Sequence, residues 1–152
     1  MTLPQSIPHV AIAILTQDHK FLMQLRDDIP GIAYPGQWAF FGGHIDPGES
    51  PEVAVERELL EEIGYQLPSV ALFQRIESAE VVRHVFHAPL TVPLTALDLR
   101  EGWDLGLLTI DDVKRGECYS ARADQVRPLG EPHRRILLDY WRQHMESAAS
   151  GL

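Results

Sequence analysis

Gly43-His44-Ile45-Asp46-Pro47-Gly48-Glu49-Ser50-Pro51-Glu52-Val53-Ala54-Val55-Glu56-Arg57-Glu58-Leu59-Leu60-Glu61-Glu62-Ile63-Gly64-Tyr65 is the stretch that decides the fold. A glycine-rich turn leads into a segment with helix signals at both ends. Ser50 suits the N-cap and Pro51 the first helical position, where a missing N–H costs nothing. Glu52 in the first turn complements the helix dipole, and Gly64 suits the left-handed residue that closes a helix. Val53, Leu59, Leu60 and Ile63 fall on one side at a 3.6-residue period. Glu58, Glu61 and Glu62, at i, i+3 and i+4, are neighbours on the opposite side, while Glu56 falls within the apolar arc near the helix start. Three carboxylates are expected within reach of one point.

Two readings of that cluster compete. Carboxylates about 6 Å apart repel by roughly 0.7 kcal/mol in water and by about 3 kcal/mol at an effective dielectric of 20. A fully solvated acidic face tolerates this; a partly enclosed one needs a cation. Mg²⁺ takes oxygen ligands, keeps several waters and often bridges carboxylates to substrate phosphates.

Gly43, then five residues, Glu49, then seven residues and Arg57-Glu58-Leu59-Leu60-Glu61-Glu62-Ile63-Gly64-Tyr65 resembles the Nudix box, G-x5-E-x7-R-E-U-x-E-E-x-G-U with U a bulky aliphatic. Every fixed polar and glycine position is met. Tyr65 departs from the aliphatic usual there, and Phe41 stands where many members carry proline. The resemblance implies that Glu58 and Glu62 are the principal ligands of Mg²⁺ or Mn²⁺. It adds Glu61, directly or through water, and the backbone carbonyl of Gly42. Arg57 would orient a glutamate, and Glu49 would fix the loop of Gly43 to the helix. Glu58 is open as ligand or as general base.

Outside the box, three features resemble family sites. Glu101, in Leu99-Arg100-Glu101-Gly102, is the candidate extra metal ligand or general base, with Asp104 and Glu80 as fallbacks. Arg26, at a strand end, is similar to a phosphate-contacting arginine; its fork pairs bidentately with phosphate oxygens. Among Tyr34, Trp38, Phe40 and Phe41, the stacking candidates for a base or sugar are Tyr34 and Trp38. His84 and His87, three apart on a strand, face opposite sides and suit no shared metal.

The chain has 152 residues, 45% of them hydrophobic, and a formal net charge of −9. That charge argues against a nucleic-acid polymer as partner. Cys118 is the only cysteine; with no intrachain disulfide possible, a reducing, cytoplasmic setting is expected. No apolar run approaches the ~20 residues of a membrane span.

Strands are expected at Val10 to Leu15 (buried on both faces), Phe21 to Arg26, Trp38 to Phe41, Val70 to Ile76 and Val81 to Leu90. Gln17-Asp18-His19 reads as a turn, and Asp27 to Gln37 as a loop. Helices are expected at Asp111 to Arg115 and Glu131 to Met145, the latter with Ile136, Leu137, Tyr140 and Trp141 on one face. One domain over residues 1–146, with a frayed tail over 147–152, completes the reading. The order implies α+β; the resemblance sharpens this to a Nudix-type α/β/α sandwich with a mixed β-sheet, and adds a homodimer.

The activity so implied is metal-dependent hydrolysis of a nucleoside diphosphate linked to another moiety, by water attack at phosphorus. Nucleotide sugars and (deoxy)nucleoside triphosphates are the leading substrates. Glu80 and Val81 stand where ADP-ribose hydrolases carry proline, and Val82 and Arg83 where diadenosine polyphosphate hydrolases carry tyrosine. Leu25-Arg26, a proline loop and Trp38 resemble GDP-mannose glycosyl hydrolases, which depart from the glutamate box. A nucleotide sensor without turnover is the other alternative.

Overall fold

A computed structural model describes residues 7–149. Its centre is β1 (His9–Gln17), which pairs in parallel with β6 (Val82–Pro89) along one edge. Its other edge is divided: Val10 to Ala13 pair with β4 (Phe41–His44), and Leu15 to Gln17 with β2 (Lys20–Leu25), both antiparallel. β2 in turn pairs with β3 (Trp38–Ala39) and β7 (Asp104–Leu108), and β5 (Ala71–Glu77) pairs with β6. This is a mixed sheet with helices: the residues implied α+β, and the resemblance implied the mixed sheet.

The alternation along β1 divides the core into two layers. Ile12 and Ile14 pack with Phe21, Met23 and Val85 on one face. Ala11, Ala13 and Leu15 pack with Leu22, Phe41 and Phe86 on the other. Successive strand side chains point to opposite faces, so a strand apolar throughout supplies both layers. α1 (Pro51–Ile63) covers the second face. α2 (Ile110–Arg115) and α3 (Glu131–Tyr140) cover the first through Val113, Ile136, Leu137 and Tyr140.

Local signals account for the element ends. Asp18 and His19 both adopt positive φ, 51° and 61°, giving the two-residue hairpin turn whose twist suits β1 and β2. Ser50 Oγ accepts from the Val53 amide, and Gly64 takes φ 65° while its N–H reaches back to Leu59 and Leu60. Tyr65, the departure from the box, is buried; its hydroxyl donates to the Pro89 carbonyl and also meets Thr91, tying the end of α1 to the end of β6. His84 lies against His9, whereas His87 meets Tyr140, so the two face opposite sides.

Several expectations are corrected. The buried face of α1 is Ala54, Val55, Leu59, Glu62 and Ile63; Val53 and Leu60 are 53% and 45% exposed, on the side where Glu56 also lies. The chain between Trp38 and His44 is broken at Phe40 into two strands. β7 was not foreseen, nor were β8 (Glu117–Ser120) and β9 (Gln125–Pro128), which form a separate hairpin. α3 gives way to a π-helical turn over Trp141–Met145, which returns Met145 to the core, and α4 (Glu146–Ala149) follows. Residues 147–149 of the expected tail are therefore helical; residues 150–152, like 1–6, lie outside those described.

Tyr65→Phe removes the donor to Pro89 and the acceptor for the Thr91 amide, which lies 3.1 Å away. Urea unfolding is expected to show a loss of about 1–2 kcal/mol with an unchanged denaturant slope.

Candidate active site

The helix α1 and the paired glycines of β4 form one wall of a cleft of about 560 Å³. Gly42, at φ 136°, lies so close to β1 that a Cβ would stand 2.2 Å from the Ala11 carbonyl oxygen. A Cβ on Gly43 would stand 2.7 Å from the Glu58 carboxylate. Backbone without side chains is thus what lets the acidic side of α1 lie against the sheet.

Glu62 is 4% exposed. Its carboxylate accepts from the Gly42 amide at 3.0 Å and from the Gln24 side chain at 3.3 Å. Burial pushes its pKa up to about 8, against the pull of the Gly42 amide and with the help of Glu58 and Glu101. Glu58 and Glu101 also line the cleft. A carboxylate dried by the fold and faced by two others is a site short of positive charge.

Arg57 organises this wall from behind. Its Nε and Nη2 grip Glu49 at 2.7 and 2.9 Å, Nη2 also donates to the His44 carbonyl, and Nη1 reaches Glu58 at 3.1 Å. Glu49 accepts in addition from the Asp46 amide. The Arg57 hydrogen bond holds the Glu49 carboxyl down to about 2, and the same pairing raises Arg57 above its already high value. The loop, the helix and the Glu58 side chain are thereby fixed to one another.

Two expected residues stand elsewhere. The Glu61 side chain is 59% exposed and meets Arg57 at 3.3 Å, outside the residues lining the cleft. Glu58, Glu61 and Glu62 do not converge on one point: among the described residues no group of three acidic, histidine or cysteine side chains is placed to hold a metal ion. Trp38 is 1% exposed in the core, with its indole N–H donated to the Cys118 carbonyl, so it offers no face for stacking. Its position in β3 turns it into the layer under α3. The fallback Asp104 is also buried away from the cleft, accepting from Ser120 at 2.7 Å, whereas Glu80 lines the cleft. Burial raises the Cys118 thiol to about 12, which leaves it unreactive.

The cleft also has cationic and aromatic lining residues. Arg26 lines it, held by the Ala33 carbonyl at 2.6 Å. Tyr34 lines it too, and its hydroxyl accepts from Arg83 at 3.0 Å. Arg83 and His133 were missed at the level of sequence. The available signals were an arginine interrupting the apolar run of β6 and a histidine one turn before Ile136 and Leu137 on the buried face of α3.

Does this arrangement fit a divalent cation? The donors are oxygens, as a hard ion requires, and a buried carboxylate lacks a compensating charge. Two carboxylates, water and substrate oxygens make up a common Mg²⁺ environment, so the residues present fit without a third glutamate.

A family model described as NUDIX domain matches residues 6–129, so the chain belongs to the NUDIX family. An RNA pyrophosphohydrolase of Gluconobacter oxydans is 46% identical over 66 residues, 43% of this chain and 36% of that protein. A nucleoside triphosphatase NudI of Escherichia coli is 40% identical over 58 residues, 38% of this chain and 40% of that protein. Each match thus spans well under half of the curated relative. A MutT protein of Methanosarcina mazei Go1 superposes with a TM-score of 0.72 at 20% identity, covering 95% of this chain and 99% of that one. The NUDIX domain of Shewanella oneidensis NrtR, solved with ADP ribose, gives 0.69 at 20% identity, covering 91% and 89%. Among the described residues, no helix is long and apolar enough to cross a membrane.

Glu62 sets a pH dependence. Its folded pKa is raised to about 8, above the usual value of about 4.3, so the folded chain keeps a proton that the unfolded chain has lost. The stability this gives is complete below pH ~4.3 and is lost as pH rises through about 8. His133, held down to about 3 by burial, acts in the opposite sense below its unfolded value. Glu62→Gln isolates the first effect: in chelator, its melting temperature should gain on that of the wild type steadily from pH 5 to pH 8. A constant difference would contradict the assignment.

Proposed function

We propose that this protein hydrolyses a phosphoanhydride bond in a nucleoside diphosphate linked to another moiety, with Mg²⁺ or Mn²⁺ as cofactor. The observation that carries the reading is the lining of one cleft, where the carboxylates of Glu58, Glu62 and Glu101 and the guanidinium groups of Arg26 and Arg83 share a single space. A diphosphate chain matches it, with oxygens to share between a cation on the carboxylates and the two guanidinium groups.

Glu58 and Glu62 would hold the ion, with the Gly42 carbonyl beside them, and Glu61 would act on it only through water. When bound, the ion neutralises phosphate oxygens and lowers the pKa of a coordinated water. The rest falls to the chain. Arg26 and Arg83 draw charge off the phosphate oxygens. Arg57 fixes the direction of Glu58. Glu101, which lines the same cleft as Glu62, accepts the proton of the attacking water, with Glu58 as the competing base. Water adds to phosphorus and the bridging oxygen departs with the second phosphate.

Two classes of substrate remain in the proposal, (deoxy)nucleoside triphosphates and nucleotide sugars. The triphosphatase and pyrophosphohydrolase names of the relatives favour the triphosphates. One domain, a cytoplasmic setting and a homodimer belong to the same reading.

A phosphate-release screen over nucleoside triphosphates, nucleotide sugars and dinucleotides should show turnover that disappears in chelator and returns with Mg²⁺. Glu58→Gln should lower kcat by about 10²-fold or more, and near-wild-type turnover in that variant would refute the assignment. No turnover, with a nucleotide-induced rise in melting temperature, would identify a sensor instead.

A further inference from the structure

His133 is the third residue of α3, and it lines the cleft while being only 6% exposed. Its fit is close: a Cβ on Gly130 would stand 2.8 Å from its Cδ2. The Gly130 amide donates to the Trp38 carbonyl, so the start of α3 is pinned to β3 with the imidazole between them. The Phe40 amide lies 3.4 Å from Nδ1. That amide can only donate, so Nδ1 accepts and the ring proton of the neutral imidazole sits on Nε2. Nε2 is buried and has no hydrogen-bond partner.

Buried polar atoms without partners are rare in folded proteins. Here the orphan is a donor in the wall of a cleft, on a ring that packs at steep angles against Tyr34 and Phe40, with ring centroids 5.2 and 5.1 Å apart. The ring stays neutral at physiological pH, because burial, Arg83 and Arg26 hold its pKa down to about 3. An uncharged donor among aromatic rings suits a planar, uncharged acceptor. Phosphate oxygens have the guanidinium groups of Arg26 and Arg83 in the same cleft.

We propose that His133 is a specificity-determining residue: Nε2–H donates to a carbonyl oxygen or ring nitrogen on the edge of the substrate's nucleobase. This rests on the nucleotide reading above and adds which chemical feature of the base is read. Phe40 is fixed between β3 and β4, whereas Tyr34 belongs to the loop after β2. The base therefore reaches Nε2 by displacing the Tyr34 ring, which then covers it. Bases that offer a donor at this position are rejected, since two donors would face each other.

The test pairs kinetics with calorimetry. The kcat/KM is measured for nucleotides whose bases differ in acceptors, including 7-deaza and 2-aminopurine analogues, and for a ribose triphosphate without a base. For the wild type, deleting the acceptor that is read should cost about 10- to 100-fold. His133→Phe should abolish that difference and leave the base-free compound unchanged, while His133→Gln, which keeps a donor, should restore part of it. Calorimetry with nucleoside monophosphates should show the same loss in binding. Equal discrimination in wild type and His133→Phe, or an equal loss on every compound, would overturn the assignment. Should the variant fail to fold, the analogue series on the wild-type protein decides: no acceptor deletion having an effect would overturn it. Absence of turnover on any phosphoanhydride would sink the hydrolase reading alone, because the calorimetric comparison still reports on His133.

Discussion

Glu62 is a carboxylate that the fold has removed from water, and much of the surrounding structure serves to keep it there. Its oxygens are met by one backbone amide and one side-chain amide, from Gly42 and Gln24. Gln24 is itself the polar residue in the buried run from Phe21 to Leu25, and its side chain also donates to the Phe40 carbonyl. Neither partner carries a charge. Two donors are enough to make burial tolerable, and too few to make the anion comfortable. The glycines of β4, the division of β1 between β2 and β4, and the clamp by Arg57 all bring Glu58 close to the same place.

That constraint explains where the sequence misled. The ends of α1 were legible because a cap is a local matter: Ser50, Pro51 and Gly64 state it directly. The buried face was not, because periodicity sorts residues by polarity and Glu62 sits on the core side with Val55, Leu59 and Ile63. Sorting it with Glu61 turned the inferred apolar arc toward Val53 and Leu60. Glu56 then looked misplaced, although it stands on the exposed side. A buried carboxylate thus displaced the reading of its own helix.

The remaining gaps have physical causes as well. β7 reads Asp-Leu-Gly-Leu-Leu, without β-branched residues and with a central glycine, and exists through its pairing with β2. Gly106, which weakens the strand signal, lies under the Trp38 ring, where an added Cβ would stand 3.6 Å away in ordinary contact. Trp38 in turn occupies β3 next to the cleft, and only the tertiary structure shows which way its side chain turns. Arg83 and His133 join the site from β6 and α3, and their distance along the chain from the box hides the association. Arg26, Tyr34 and Glu101 were within reach because each falls at an element end or in a loop, where functional side chains concentrate.

On the proposed reading, the acidic and the basic groups of the cleft depend on each other. A cation held by Glu58 and Glu62 alone has coordination positions left for water or substrate oxygens. A diphosphate alone meets Arg26 and Arg83 but also the acidic side chains of the same cleft. Each ligand therefore improves the site for the other, by the same factor in both directions. The net charge of −9 sharpens this, since an anionic substrate is repelled by the chain as a whole until the carboxylates are neutralised. The buried glutamate is thus the source of the coupling: a cation takes the place of the proton that Glu62 holds in the empty cleft, and the cation stays longest when a phosphate chain completes its surroundings.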